Sequence, residues 1–204
     1  MNIRLIFFGL FFLALIYGAN LFVVWTNQCI VNDDMTLFCY LIPLFLTIYV
    51  VLMFIIQLSK PFQGVLASIY SIFYMIFAVY IGYLLYIFIT SIILRIIDAC
   101  VDIPKAVGIP ILYGLPGIIC IYGIINALIT KVIRITLKFP GYKDKTTILH
   151  LTDIHLGAIH QKHSIERIVK ETEELNPDIV VITGDMADGS LKVKTEWLQP
   201  FDKL

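Results

Sequence analysis

The chain has 204 residues, 59% of them hydrophobic and 15% charged, with a mean hydropathy of +0.90. Soluble domains are typically about 45–50% apolar, so one water-soluble domain cannot describe the whole chain. Fifteen basic residues balance fifteen acidic ones, and zero net charge gives no electrostatic footprint for nucleic acid.

The charges are segregated. From Leu5 to Leu94 the only formal charges are Asp33, Asp34 and Lys60, whereas acids and bases are dense from Lys131 onward. This predicts a transmembrane region over 1–130 and a water-soluble region over 131–204. Apolar runs at 5–25, 37–58, 65–94 and 109–130 can each cross a hydrocarbon core of ~30 Å, which takes about 20 helical residues. They predict an α-helical membrane bundle of about four spans, with the lipid bilayer as its partner.

The first run is longer than the apolar core of a signal peptide, and Trp25-Thr26-Asn27 is not a small-residue cleavage site, so it reads as an uncleaved span. Asn20 within it can bond to a neighbouring helix. A polar loop follows over 26–36. Pro43 falls near the start of the second run, where proline costs a helix least. The turn at 59–64 predicts a hairpin of the second and third spans. The third run exceeds a straight crossing, which predicts tilt or an interfacial end. Its Ala78 and Gly82 form a small-xxx-small pair that permits close helix contact. An amphipathic connector over 95–108 leads to the fourth run, where Pro110 and Pro116 predict a kink. Cys29 and Cys100 read as loop residues able to pair if their loops share an oxidising side. Cys39 and Cys120 read as buried thiols. Four spans put both chain ends on one side. That side carries Arg4, Lys60, Lys131, Arg134 and Lys138, against Arg95 and Lys105 opposite, so the positive-inside rule predicts a cytoplasmic soluble region.

In that region, Ile133, Ile135, Leu137 and Phe139 alternate with Arg134, Thr136 and Lys138, which predicts a half-buried strand over 131–139 ended by Pro140-Gly141. A second strand is expected at 147–152, apolar on both faces but for His150, which suits an internal strand and makes His150 a packed histidine. Ser164 is placed to cap a helix running to Leu175, with Ile165, Ile168, Val169 and Leu175 on its apolar stripe. Asn176-Pro177 stops it, and a third strand follows at 178–183. Strand, helix and strand with buried runs form a parallel βαβ unit.

Ligands of open α/β sheets bind beyond the carboxyl ends of the strands, where Asp153, His155 and Asp185 fall. Asp153 and His155 are two apart, so an extended backbone points both the same way. A neighbouring strand ~4.8 Å away brings Asp185 beside them. Two carboxylates and an imidazole suit a divalent cation of the manganese, iron or zinc class, and a bridging carboxylate can serve two metals ~3.5–4 Å apart. Gly184 fits a tight turn that lets Asp185 point into the site. His160 and His163 sit on the loop before the helix and are further candidates for phosphate or metal contact.

Asp153-Ile154-His155 followed by Gly184-Asp185-Met186-Ala187-Asp188 resembles the first two motifs of the calcineurin-like metallophosphoesterases, in the branch where membrane spans precede the enzyme domain. The resemblance covers Lys131 onward. It implies the first part of an α/β metallophosphoesterase sandwich and two divalent metal ions. Asp153 and His155 would hold the first metal, Asp185 would bridge to the second, and Asp188 would orient the site from behind. A metal-activated hydroxide would attack a phosphoester. No other catalytic group is identified. The family's later Gly-Asn-His-Asp/Glu motif and further histidines do not occur before Leu204, so the soluble region is expected to be the first portion of the domain and inactive by itself. The rival reading is a catalytically incomplete membrane interaction subunit with a vestigial or single-metal site.

Overall fold

A computed structural model describes residues 3–59, 65–141 and 144–204. The chain forms two compact units, one made of residues 1–58 and 76–128, the other of residues 59–75 and 129–204.

Four long helices carry the apolar runs: α1 (Ile3–Val31), α2 (Leu37–Ser59), α3 (Val65–Asp98) and α4 (Lys105–Leu128). All four are long and apolar enough to cross a membrane. The α1 helix continues past its predicted end at 25, because Thr26 to Ile30 contain no breaker. It stops at Asn32, whose φ of 57° is the left-handed conformation that ends helices. Cys29 therefore lies on a helix and not in a loop. The predicted connector shrinks at both ends. Asp98 accepts a hydrogen bond from Arg95 one turn back, extending α3 beyond 94, and also from the Ile103 N–H at 3.2 Å. The Pro104 carbonyl accepts from Val107 and Gly108, so α4 begins at Lys105 and not at 109. The α4 helix runs through both Pro110 and Pro116 and ends two residues before 130. The turn predicted at 59–64, except Ser59, lies outside the described residues. All four cysteines are free thiols.

The core of the first unit joins Ile16, Val23 and Ile30 of α1 to Val50 of α2, Leu84, Ile87 and Leu94 of α3, and Leu112 of α4. Gly108 sets the approach of α4 to α1, since a Cβ there would lie 2.8 Å from Ile30 Cγ2. Gly82 does no such work: a Cβ there would meet nothing within 4 Å, so the Ala78/Gly82 pair is not a close helix contact. Specific polar contacts join the helices. The Tyr80 hydroxyl donates to Asn20 Oδ1 at 2.8 Å, and Asn20 Nδ2 donates to the Ile16 carbonyl at 3.0 Å. Arg95 lies over the Trp25 ring at 4.6 Å, tying the end of α3 to α1 through a cation–π contact.

In the second unit, β1 (Ile148–Leu151) and β2 (Ile179–Ile182) pair in parallel, with α5 (Lys162–Leu175) between them in the chain. The helix starts at Lys162, so Gln161 is its N-cap and Ser164 falls inside the first turn. Ser164 cannot cap because its backbone is already helical. Asn176, with φ 43°, ends the helix and donates its N–H to the Thr172 carbonyl. Ile165 and Val169 pack with Ile154 and Leu156, and Leu151, Ile168, Leu198 and Phe201 close around them. The last two belong to α6 (Thr195–Leu198) and the helical turn Gln199–Lys203. That pair of turns has no periodic signal in the sequence, and Trp197 anchors it by burial.

Two strand expectations are corrected. Residues 131–139 join no ladder among the described residues, and Ile133, Ile135, Leu137 and Phe139 are 79%, 77%, 70% and 66% exposed. Alternation marks which face would be buried, but a strand forms only where a neighbour takes its N–H and C=O groups. The strands β1 and β2 are also not covered on both sides: Ile148, Ile179, Val181 and Ile182 are exposed. A two-stranded sheet flanked by one helix has too little material to bury them.

The Asn20–Tyr80 bond gives a direct test of bundle packing. Tyr80→Phe should lower stability in detergent or bicelles by about 0.6 kcal/mol, and by no more than about 2 kcal/mol, as measured for interhelical hydrogen bonds in membranes. A chemical denaturation series on the full chain measures it.

Candidate metal centre

The parallel register pairs Ile148 with Ile179 through Leu151 with Ile182, so both strands end level. Pairing does not stop with the strands. Thr183 donates its N–H to the Leu151 carbonyl, His155 to Asp185, Leu156 to Met186, and Asp188 back to Leu156. The two loops are thereby joined along the segment that carries the predicted ligands.

Asp153, His155 and Asp185 come together. One donor atom from each lies within 4.8 Å of the others. His155 Nε2 stands 3.3 Å from Asp185 Oδ2 and 3.8 Å from Asp153 Oδ1. Thr152 donates its hydroxyl to Asp153 Oδ2 at 2.9 Å, which orients that carboxylate. The side chains are 64% (Asp153), 44% (His155) and 52% (Asp185) exposed, so the group is open to water on one side.

The route to this convergence differs from the extended backbone expected. Asp153, His155 and Asp185 have φ of 55°, 50° and 45°, all in the left-handed region. Few residues other than glycine adopt it, although Asp and His are enriched among those that do. Each such residue turns the chain sharply, and the side chains converge because the loops curl rather than run straight. Gly184, at φ 78°, supplies the tight turn before Asp185.

Asp188 bonds Ser190, three to five residues on from Asp185. Its Oδ1 accepts from the Ser190 N–H at 2.7 Å and from the Ser190 hydroxyl at 2.6 Å, while Ser190 Oγ accepts from the Ala158 N–H at 2.7 Å. This clasp ties the loop after β2 to the loop after β1. Gly157 makes room for it: a Cβ there would lie 1.9 Å from Asp188 Oδ1 and 2.4 Å from Ser190 Oγ. Ser190 and Gly157 were not singled out in the sequence, although Asp188-Gly189-Ser190 is a turn-forming composition whose side chains bond nearby backbone.

The remaining histidines stay apart from the group. His160 Nδ1 lies 3.3 Å from Ser164 Oγ, and His163 Nδ1 lies 3.6 Å from Glu166 Oε2. His163 belongs to the first turn of α5, not to the loop, because the helix starts at Lys162. His150 is not packed. It is exposed and bonds Thr183 Oγ1 across the strand pair, since nothing covers that face of the sheet.

Residues 146–204 match the family of calcineurin-like phosphoesterases. A transmembrane protein with metallophosphoesterase domain from Danio rerio is 32% identical over 92 residues, covering 43% of this chain and 21% of that protein. Its counterpart from Bos taurus is 28% identical over 91 residues, covering 43% and 20%. A metallophosphoesterase from Helicobacter pylori is 36% identical over 69 residues, covering 32% and 19%. The matches span about a fifth of the length of these relatives. No solved structure matches.

The clasp can be tested by amide exchange. Ser190→Ala removes the acceptor of the Ala158 N–H and should speed deuterium uptake at that amide at least severalfold, with the α5 amides unchanged. Exchange followed by mass spectrometry on the full chain reads this.

Proposed function

We propose that this chain carries part of a metal-dependent phosphoester-hydrolysing site on a membrane anchor, because residues 146–204 match the calcineurin-like phosphoesterase family and four membrane-capable helices precede them. The observation that supports this most directly is the convergence of Asp153, His155 and Asp185 donor atoms within 4.8 Å at the ends of two parallel strands. The donor set fits a divalent cation of the manganese, iron or zinc class, with hard oxygens and a borderline nitrogen.

Asp153 and His155 would hold one cation, and Asp185 would be a ligand shared with a second. Such a cation supplies Lewis-acid activation of water and neutralises charge on phosphoryl oxygens. The protein's part is to present the ligands. Two carboxylates give the site a local negative charge that attracts the cation. Thr152 restrains Asp153, and the Asp188–Ser190 clasp restrains the loop carrying Asp185. Supporting contacts of this kind tune metal affinity by about 10–100-fold in known sites. Their half-exposed setting leaves one side open for water and a phosphate group.

The rival reading, an interaction subunit with a single-metal or vestigial site, draws on a different observation. The described residues gather three donors and leave an apolar strip at 133–139 exposed. Metal content and hydrolysis of an aryl phosphate by the full chain separate the two. The phosphoesterase reading expects Mn²⁺ binding by this chain, with Asp185→Asn lowering it by at least about tenfold, as loss of a ligand should exceed loss of a supporting contact, and it expects little turnover from this portion of the domain alone. Absence of Mn²⁺ binding overturns it, whereas hydrolysis that Asp185→Asn abolishes rejects the interaction subunit.

We place the phosphoesterase region on the cytoplasmic side. Arg4, Lys60, Lys131, Arg134 and Lys138 flank the spans on its side, against Arg95 and Lys105 on the other. A cysteine introduced as Lys170→Cys should react with an impermeant maleimide only after the membrane is opened, whereas one introduced as Asp33→Cys should react in intact cells. The opposite pattern reverses the orientation.

A further inference from the structure

The α3 helix is too long for a simple crossing. Leu66–Asp98 is 33 residues, roughly 50 Å at 1.5 Å per residue, against a hydrocarbon core of ~30 Å. Its opening residues, up to Met75, belong to the same compact unit as the phosphoesterase region. Parity of the spans gives the same side independently: with four crossings, the start of the third and the end of the fourth share one face.

Within this unit a continuous set of hydrogen bonds leads from α3 to the metal loops. The Ser71 hydroxyl donates back to the Ala67 carbonyl at 2.9 Å. Ser71 Oγ in turn accepts from Gln161 Nε2 at 3.3 Å, and the same amide donates to the Ala158 carbonyl at 3.3 Å. From Ala158 the chain of bonds continues through its N–H to Ser190 Oγ, and from the Ser190 hydroxyl to Asp188 Oδ1. Tyr70, beside Ser71 on the helix, is only 5% exposed. Asp188 is three residues from Asp185.

We propose that the first turns of α3 are a structural part of the candidate metal centre, with Ser71, Gln161 and Ser190 as positioning residues that hold the loop carrying Asp185. The third span thus has two roles. Its central part crosses the membrane, and its protruding start supports the site. The Gln161 side chain is the joint. As N-cap residue of α5 it makes no capping bond of its own, so its amide is committed to Ala158 and to Ser71. The contact needs no metal and stands as geometry by itself, but its catalytic meaning rests on the phosphoesterase reading above.

Crosslinking tests the contact in the full chain in membranes. The four native cysteines are first replaced (Cys29→Ser, Cys39→Ser, Cys100→Ser, Cys120→Ser). Ser71→Cys is then paired with Gln161→Cys, and a short bifunctional thiol reagent bridges them, because Gln reaches farther than a disulfide between two cysteines spans. The control pairs Gln161→Cys with Ile69→Cys, since Ile69 is 45% exposed and nearly opposite Ser71 on the helix. Efficient bridging at 71 and little at 69 supports the proposal. Equal bridging, or none at 71, overturns it.

Amide exchange in the native-cysteine background gives a second, independent reading. Ser71→Ala should speed exchange at the Ala158 amide at least severalfold, although Ser71 does not touch that group. No change there overturns the relay. Mn²⁺ affinity supplies the functional arm, which Ser71→Ala should weaken severalfold. A wild-type chain that binds no Mn²⁺ rejects the metal reading alone, and crosslinking and exchange still decide the contact.

Discussion

The parallel pairing of β1 with β2, continued beyond the strands as loop-to-loop hydrogen bonds, is the interaction on which the candidate site depends. Strand pairing fixes which residues leave the sheet side by side, and the bonds from Thr183 to Leu151, His155 to Asp185 and Leu156 to Met186 carry that register into the loops. Without them, two acidic loops would repel each other. With them, Asp153 and Asp185 are held close as an arrangement that a cation can neutralise. A shift of one residue in the register would change which side chain stands opposite His155. Placement of the site thus follows from a backbone feature that spans four paired residues in each strand.

The membrane half illustrates a different constraint. Its helices present apolar side chains both to lipid and to one another, so hydrophobicity alone cannot choose among packings. Choice falls to a few contacts that only one arrangement satisfies. Tyr80 meets Asn20 between α3 and α1, Arg95 meets Trp25 at their other end, and Gly108 admits Ile30 between α4 and α1. Each involves α1, which makes the first span the common partner of the third and fourth. The small-residue pair in α3 was the more familiar packing signal, yet Gly82 faces open space. Spacing of small residues states where helices can approach, not where they do.

Much of the site was legible because its signals are local. Asp153, His155 and Asp185 follow apolar strand-like runs, and the helix between those runs shows its stripe through Ile165 and Val169. The existence of the spans was legible for the same reason. What escaped depended on partners far along the chain. The strand expected at 131–139 has the right alternation but no neighbour among the described residues. His150 lies in an apolar run that reads as a doubly covered strand, but nothing among the described residues covers its face of the sheet. Ser190 and Gly157 carry no motif of their own. Their importance arises only when the two loops meet, 32 residues apart, at the Ala158–Ser190 bond. Helix ends were displaced for a physical reason too: Asn32 and Asp98 end α1 and α3 through backbone conformation and side-chain bonding, which hydropathy does not register.

The left-handed conformation of all three candidate ligands sets the terms on which the site can vary. A residue with a Cβ in that region costs roughly 1–2 kcal/mol, less for Asp, so three of them amount to a few kcal/mol. The loop bonds, each contributing about 0.5–1.5 kcal/mol net, are of the same order when the Asp188–Ser190 clasp is included. The two sides nearly offset one another. Glycine at 153, 155 or 185 would relieve the backbone yet remove a donor atom. A bulkier or β-branched residue would keep the strain without supplying a ligand. Aspartate and histidine at these positions are therefore better explained by what their side chains can hold than by what the loops need. The clasp, by contrast, touches none of the three side chains and exists to keep strained loops closed, which is why Gly157, with no side chain to offer, is as constrained as the residues it stands beside.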